Sequence, residues 1–356
     1  MRTILFAGGG TLGPVTPLLA VAARLRERDE RFRFAWAGTD SGPERALVEA
    51  AGIHFATIPV AKLPRYLSLK LFTAPFDYQR ARQEAARLIA EARPAIVITA
   101  GGFMAVPVIA EAAAHGTPCL AHQLDYKVGL SNRLVAKQCR YMTVSFSYPH
   151  SPFPPAVRTY QIPTPVRFSA SDAPSRDFAC RYFGFDPAKP VLLVTGGGTG
   201  AKTLNDAFAS IRRRLPEHLQ ILHLTGRGKS EGIISETPSY VVNEFLAEDM
   251  LTAYTAADLV VSRAGVGAIS ELAALKKPVI LVPLPDSPQE ANAIALKNSV
   301  HAIRQTEKAF ASQLQEKIIS LLNDEAERRR LGDALHAAFP TDKGEGLAGL
   351  AMTIIG

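Results

Sequence analysis

The sequence predicts an α/β protein made of two doubly wound domains of similar design. Three observations carry that expectation. Short apolar runs alternate with longer runs of helical periodicity along most of the chain. Two of the apolar runs, at 3–7 and 191–195, lead straight into glycine clusters, Gly8-Gly9-Gly10-Thr11-Leu12-Gly13 and Gly196-Gly197-Gly198-Thr199-Gly200, and a helical pattern follows each cluster. The two starts lie almost half a chain apart, and 356 residues suffice for two domains of ordinary size.

In the first half the spacing predicts strands at 3–7, 33–37, 54–58, 95–99, 119–121 and 141–144, with helices at 18–25, 45–51, 78–92 and 106–114. Such alternation argues for a parallel sheet covered on both faces. From 148 to 174 prolines are too dense for a helix or a sheet interior: Pro149, Pro152, Pro154, Pro155, Pro163, Pro165 and Pro174. This stretch reads as the interdomain connection, with one extended piece at 157–162. The second half repeats the pattern, with strands at 191–195, 220–225, 240–242, 259–262 and 279–282 and helices at 203–215, 250–256, 268–275, 289–296 and 309–322. The expected division is 1–160, 161–343 and a closing helix within 344–356 that packs back on the first domain.

A strand, a tight glycine turn and a helix start form a seat for phosphate. Glycine lets the backbone come close to a ligand, and the helix start offers unpaired N–H groups at the positive end of its dipole. A plain βα turn is the alternative for either cluster. Neither is a P-loop, and neither fits GxGxxG with an acidic residue ending the next strand; Asp40 is only a loose fit. Two such domains facing each other would bring both turns to a shared cleft.

Bulk composition narrows the class. Nearly half the residues, 47%, are hydrophobic, so the chain is globular. A net charge of +7 suits an anionic partner: a nucleotide, a membrane surface or a nucleic acid. No nucleic-acid-binding signature is present, so no nucleic-acid partner is expected. Cys119, Cys139 and Cys180 have neither metal-ligand nor disulfide spacing, which suits a reducing cytoplasm. The chain starts directly on a strand, without a signal-peptide pattern, and no apolar run reaches membrane-spanning length.

Several segments together resemble one family. They are Gly9-Gly10-Thr11 with Gly13 and Pro17; Ala100-Gly101-Gly102-Phe103; His122-Gln123-Leu124-Asp125 with Asn132; Pro165-Val166-Arg167; Gly196 to Ala201 with Asn205; Ser262-Arg263-Ala264-Gly265 through Ser270-Glu271; and Gln289 with Asn292. Their order and spacing are similar to those of family 28 glycosyltransferases. The resemblance implies the GT-B fold, two Rossmann-like doubly wound domains facing a cleft. It also implies transfer of N-acetylglucosamine from UDP-N-acetylglucosamine to a lipid-linked muramyl-pentapeptide diphosphate. On the donor side it implies that Arg167, Gly197, Gly198, Thr199, Gly200, Ala264, Gly265, Val266 and Gly267 meet the nucleotide diphosphate. Glu271 would then hold the ribose hydroxyls, and Gln289, with Asn292, the sugar. The chemistry fits: a carboxylate accepts from a vicinal diol, and a guanidinium donates to a pyrophosphate. On the acceptor side it implies that Gly10, Thr11, Leu12 and Gly13, with Gly101, Gly102 and Phe103, cradle the lipid-linked diphosphate. Departures fall mostly there. Pro14 stands where the family has His, Gln123-Leu124-Asp125 where it has Glu-Gln-Asn, and Thr164 where it has Asn; Gly198 replaces Ser, and the loop at 286–289 is shorter. Arg263 reads as a surface charge.

The implied reaction is direct displacement at the anomeric carbon with inversion. Helix N-termini and Arg167 can stabilise departing UDP, and no Asp-x-Asp metal motif occurs, so no metal cofactor is expected. The acceptor hydroxyl needs a general base. Asp125 is the first candidate and His122 the second, both close after a strand end. Alternatively Asp125 only caps a helix entered near Lys127, and His122 is a hydrogen-bonded structural residue. Three other readings stay open: a glycosyltransferase for another lipid or small-molecule acceptor, a non-catalytic UDP-sugar-binding homologue, and a nicotinamide enzyme.

Between 62 and 78, Lys62, Arg65 and Lys70 are interleaved with Tyr66, Leu67, Leu69, Leu71, Phe72 and Phe76. This short, charged run suits an interface with an anionic membrane surface, with Leu69, Phe72 and Phe76 entering it and Pro64 and Pro75 bounding it. The expected location is the inner face of the cell membrane, attached peripherally from the cytoplasm. An ordinary core helix and loop is the alternative.

Overall fold

The computed structural model describes residues 2–42, 44–59, 70–197, 200–246 and 248–356, with the backbone alone for 70–75. The expected site residues Leu69, Gly198 and Thr199 lie outside the described residues, as does the Phe72 side chain. In chain order the elements are β1 (Arg2–Ala7), α1 (Val15–Arg28), β2 (Phe32–Gly38), α2 (Glu44–Ala50), β3 (His54–Thr57), α3 (Lys70–Ala92), β4 (Ile96–Thr99), α4 (Ala105–Ala114), β5 (Cys119–Gln123), α5 (Leu130–Val135), β6 (Tyr141–Val144), β7 (Thr159–Gln161) and β8 (Thr164–Pro165). They continue as α6 (Arg176–Tyr182), β9 (Val191–Thr195), α7 (Lys202–Ile211), β10 (Gln220–Leu224), β11 (Tyr240–Asn243), α8 (Met250–Ala256), β12 (Leu259–Ser262), α9 (Val266–Ala274), β13 (Val279–Leu281), α10 (Pro288–Ala295), β14 (His301–Ala302), α11 (Phe310–Leu322), α12 (Glu325–Ala338), β15 (Thr341–Asp342) and α13 (Glu345–Ile355). The chain divides into two units, 1–167 with 342–356, and 168–341.

Each unit is built on one sheet. The first has the strand order β3-β2-β1-β4-β5-β6-β7, the second β11-β10-β9-β12-β13-β14, and β15 pairs with β8. Pairing within both large sheets is parallel. Strands covered on both faces are mainly apolar, and Ile96–Thr99, Val191–Thr195 and Leu259–Ser262, buried at every position, are apolar up to a last Thr or Ser. Strand order reverses between β1 and β4 in the first sheet and between β9 and β12 in the second. At such a switch point the connections leave toward opposite faces, and a crevice opens at the carboxyl ends of the strands.

The helices cover these sheets through apolar stripes. In α1 the buried residues Leu18, Val21, Ala22 and Leu25 recur at the helical spacing, while Arg26 and Arg28 lie in its last turn. Each buried Leu or Val contributes about 1.5–3 kcal/mol relative to exposure. The first unit packs its core around Leu5, Ala37, Val97, Met104, Val108 and Ile109. The second does so around Leu192, Leu204, Phe208, Ile280, Leu314 and Ile318.

Several elements differ from expectation. Helix α3 begins at Lys70 and runs through Pro75, so that proline does not bound a separate protruding segment. Near a helix start a proline removes a single ladder bond, which seventeen following residues offset. Helices α6 and α12 and strands β8, β14 and β15 were not expected, and the helix expected to enter near Lys127 starts at Leu130 as α5. In α12 Asp324 accepts from the Glu327 N–H at 2.8 Å, and Leu331 and Leu335 supply a narrow apolar stripe in a charged segment. The closing helix α13 lies in the first unit. Gly344, at φ +91°, precedes it, and a Cβ there would lie 2.9 Å from Val21 Cα. Glu345 pairs with Arg24 at 2.8 Å and with Arg28.

Candidate active site

In the first unit two glycine turns flank the switch point. The first follows β1 and is held from behind. The Trp36 indole donates to Gly8 O at 2.8 Å, and the buried Glu44 carboxylate accepts from Gly10 N at 3.2 Å, Thr39 N at 2.7 Å and Thr39 Oγ1 at 2.6 Å. Thr11 and Gly13 are exposed and Leu12 is half-buried. The Leu12 carbonyl accepts from Val15 N and Thr16 N, which starts α1 just after Pro14. The second turn follows β4. Gly101 and Gly102 have φ of +99° and +98°, a conformation that favours glycine, and a Cβ on Gly102 would lie 3.2 Å from Gly9 O. The two turns therefore abut, with Phe103 partly exposed beside them.

At the end of β5 the two base candidates separate. His122 is fully buried; Nδ1 lies 2.9 Å from Thr143 Oγ1 and Nε2 3.0 Å from Ser145 Oγ. Burial lowers its pKa to about 3, so the ring is neutral and occupied on both nitrogens. His122 is thus enclosed and hydrogen-bonded within the sheet, as a structural residue is. Asp125 is half-buried beyond the strand end. Helix α5 starts at Leu130 with Gly129 as N-cap, so Asp125 does not cap it. Gln123 Nε2 donates to Asp125 O at 2.7 Å, and Tyr148 Oη donates to Tyr126 O at 2.7 Å and Asp125 O at 3.3 Å. The Tyr126 ring stacks on Tyr148 at 4.9 Å. The backbone that carries the Asp125 side chain is thus fixed from two sides.

In the second unit the corresponding turns follow β9 and β12. Gly197 has φ +73°, and no atom of the described residues stands within 4 Å of a Cβ placed on it. Gly200 has φ +67°, but a Cβ there would meet Thr225 O at 2.5 Å and Gly226 Cα at 2.6 Å. Gly200 is thus required by the chain's own neighbouring turn, not only by approach of a ligand. Lys229 Nζ donates to Gly200 O at 3.2 Å, and Asn205 Nδ2 donates to Thr225 O at 2.9 Å and Lys229 O at 3.3 Å. Behind Asn205 stand His223 at 3.2 Å and, at 2.9 Å from His223, Tyr240 Oη. Burial, with a smaller contribution from Arg212, lowers the His223 pKa to about 4.

Helix α9 starts at Val266 with Gly265 as its N-cap, after Ala264. Glu271 lies one turn beyond Gly267, on the same face, and is half-buried; among the described residues nothing stands within 4 Å of a Cβ placed on Gly267. Gln289 Oε1 accepts from Leu284 N at 3.0 Å, while Nε2 lies 3.9 Å from a Cβ position on Gly265. Asn292 is fully buried and donates to Ala264 O at 3.0 Å, so it supports the turn from behind. Arg263 is 7% exposed, not a surface charge; Nη1 donates to Val282 O at 3.0 Å and Pro283 O at 3.3 Å, and burial lowers its pKa. Arg167 is exposed at the last position of the first unit.

The expected residues therefore gather at the carboxyl ends of the strands in each unit: Gly10, Thr11, Leu12, Gly13, Gly101, Gly102, Phe103 and Asp125 in the first, Gly197, Gly200, Ala264, Gly265, Val266, Gly267, Glu271 and Gln289 in the second. Glu44, Trp36 and Lys229 were missed. Their roles depend on which loop they reach, and no local spacing signals that. Among the described residues no group of three or more His, Cys, Asp and Glu side chains is arranged to hold a metal ion, and no helix is long and apolar enough to cross a membrane.

Comparison with known proteins bears on both units. The description "Glycosyltransferase family 28 N-terminal domain" matches residues 4–144, and "Glycosyltransferase family 28 C-terminal domain" matches residues 191–340. A protein of Clostridium kluyveri is 37% identical over 290 residues, 80% of this chain and 79% of its own. Its name is UDP-N-acetylglucosamine–N-acetylmuramyl-(pentapeptide) pyrophosphoryl-undecaprenol N-acetylglucosamine transferase. A protein of Lachnoclostridium phytofermentans with the same name is 38% identical over 291 residues, with the same coverage. Among solved structures, MurG of Acinetobacter baumannii has a TM-score of 0.75 at 22% identity and covers 99% of each chain, a likeness of fold.

Proposed function

The chain belongs to glycosyltransferase family 28, and on that premise we propose that it transfers N-acetylglucosamine from UDP-N-acetylglucosamine to N-acetylmuramyl-(pentapeptide) pyrophosphoryl-undecaprenol, a step of peptidoglycan synthesis. The observation that carries the reading is the identity to relatives of that name over four-fifths of the chain. The glycine turns at the switch point of each sheet support it, since both substrates carry a diphosphate.

In this reading the second unit holds the donor. Backbone N–H groups at 197–200 and at the start of α9, with Arg167, meet the diphosphate. Glu271 accepts from the ribose hydroxyls, and Gln289, whose Oε1 is already engaged, offers its NH2 to the sugar. The first unit holds the acceptor, with Gly10, Thr11, Leu12 and Gly13 and the turn at 101–103 around its diphosphate. Asp125 takes the proton of the acceptor hydroxyl as that oxygen forms a bond to the anomeric carbon. The bond from that carbon to the β-phosphate oxygen breaks, and UDP leaves with the electron pair, its charge met by helix-start N–H groups and Arg167 with no metal required. Attack opposite the leaving group inverts the anomeric centre.

The chain meets its lipid-linked substrate by peripheral, reversible attachment to an anionic membrane from the cytoplasmic side. Phe76 on α3 is 78% exposed, and the net charge of +7 favours such a surface. A radiolabel transfer assay with UDP-N-acetylglucosamine and a short-chain lipid acceptor tests the reaction. Absence of transfer with retained UDP binding would leave a binding-only homologue. Flotation with anionic and neutral vesicles tests attachment, and a chain that never floats with anionic vesicles refutes it.

A further inference from the structure

The side-chain network behind the turn at 101–103 leaves one buried acceptor unused. Gln123 Nε2 donates to Asp125 O at 2.7 Å and Lys127 O at 3.4 Å. Carbonyls only accept, so these bonds turn Gln123 Oε1 toward Asn132. Asn132 Nδ2 donates to that oxygen at 2.7 Å and to His122 O at 3.2 Å. Rotating the Asn132 amide would set oxygen against two oxygens, so its orientation is fixed as well. Its Oδ1 is left inside the protein, on a residue 3% exposed, without a hydrogen-bond partner among the described residues. A Cβ built on Gly101 would lie 3.3 Å from this Oδ1 and 3.7 Å from both Cγ and Nδ2. The oxygen is thus the atom turned toward the glycine turn.

We propose that Asn132 Oδ1 recognises the acceptor sugar by taking a hydrogen bond from one of its O–H or N–H groups. An amide oxygen unpaired away from water is costly, and a ligand donor satisfies it. Phosphate oxygens only accept, so the diphosphate is not what faces Asn132. The sugar ring therefore meets Asn132 on the Gly101 side, and the diphosphate is left to the backbone N–H groups of the two turns. Gln123 ties Asn132 to the Asp125 backbone, so the donor recognised and the hydroxyl deprotonated belong to one sugar. The inference rests on the reading that the first unit holds the acceptor.

The test compares the full-length wild type with Asn132→Ala and Asn132→Ser. Transfer to a short-chain N-acetylmuramyl diphosphate lipid is measured, together with UDP affinity and the melting curve. In folded variants kcat/KM for this acceptor should fall about tenfold or more, with UDP affinity unchanged. Acceptor analogues then lack each free hydroxyl in turn, or carry an ester in place of the acetamido N–H; those without the nucleophilic hydroxyl are read as competitive inhibitors. One analogue should lose about tenfold against the wild type and nothing further against the variants, which identifies the donor. If every analogue equals the parent on the wild type, the proposal is overturned whether or not a variant folds. An equal loss on wild type and folded variants for every analogue overturns it too. A wild type that neither binds nor glycosylates the parent acceptor removes the underlying reading instead.

Discussion

Replacing Glu44 should loosen the first glycine turn and leave the donor unit intact. The Glu44 side chain is fully buried, and its carboxylate joins two loops by accepting from Gly10 N, Thr39 N and Thr39 Oγ1. In Glu44→Ala the Thr39 hydroxyl can turn to a new partner, but two backbone N–H groups cannot. A hydrogen bond to a charged acceptor is worth about 1.5–3 kcal/mol, while releasing a buried carboxylate from its desolvation offsets part of the loss. The expected net destabilisation is about 2–4 kcal/mol. Glu44→Gln keeps the shape, but one end becomes a donor. Its best placement is against Gly10 N–H, because Oε1 already receives two bonds, and the cost should be about 1–3 kcal/mol. Trp36, the single tryptophan, bonds the same turn through Gly8 O, so its fluorescence in a urea titration reports this unit. Gly9→Ala would put a Cβ 2.2 Å from Glu44 Oε1. It should destabilise the wild type but be partly tolerated in a Glu44→Ala background, a coupling a double-mutant cycle measures. Unchanged midpoints for both Glu44 variants, or strict additivity with Gly9→Ala, would refute the reasoning.

Other outcomes follow from the same geometry. Glu271→Ala should weaken UDP binding by about 1–3 kcal/mol in calorimetry, and equal affinity would remove it from the ribose site. Asp125→Asn should lower kcat about a hundredfold with UDP binding kept; near-normal turnover would pass the base role to solvent, since His122 is enclosed. Gly197→Ala meets no atom of the described residues but must adopt φ +73°, so UDP affinity should drop with little loss of stability beyond that strain, about 1 kcal/mol. Acid should destabilise the fold through its histidines. The folded pKa values of His122 and His223, about 3 and about 4, lie below the usual 6.5, so below pH 6.5 the unfolded chain takes up protons that the folded chain refuses. Stability present above pH 6.5 is then lost toward pH 4, by up to about 1.4 kcal/mol per pH unit for each histidine. Asp342, whose pKa burial raises, has the opposite sign and cannot cause this loss. If denaturation midpoints of His122→Gln and His223→Gln fall as steeply between pH 6.5 and 5 as those of wild type, the assignment is wrong.

Local pattern determined much of this protein. Parallel strands buried on both faces are mainly apolar, so 96–99, 191–195 and 259–262, each apolar up to its last residue, announce themselves, and helices on such sheets must carry a periodic apolar stripe. The glycine clusters were legible because a tight strand-to-helix turn admits little else, and order and spacing of motifs sufficed for the family. Tertiary structure decided the rest. Helix α12 hides in the sequence because only Leu331 and Leu335 mark its buried face. Arg263 reads as a surface charge until its donors are seen on Val282 O and Pro283 O. His122 reads as a base until Thr143 and Ser145, brought alongside by the pairing of β5 with β6, take both ring nitrogens. Glycine at 200 serves Thr225 and Gly226, a neighbour set by the pairing of β9 with β10. Each of these roles depends on a partner distant along the chain. Sequence fixes which groups a residue can offer, but burial and the direction of its hydrogen bonds exist only once the sheets have formed.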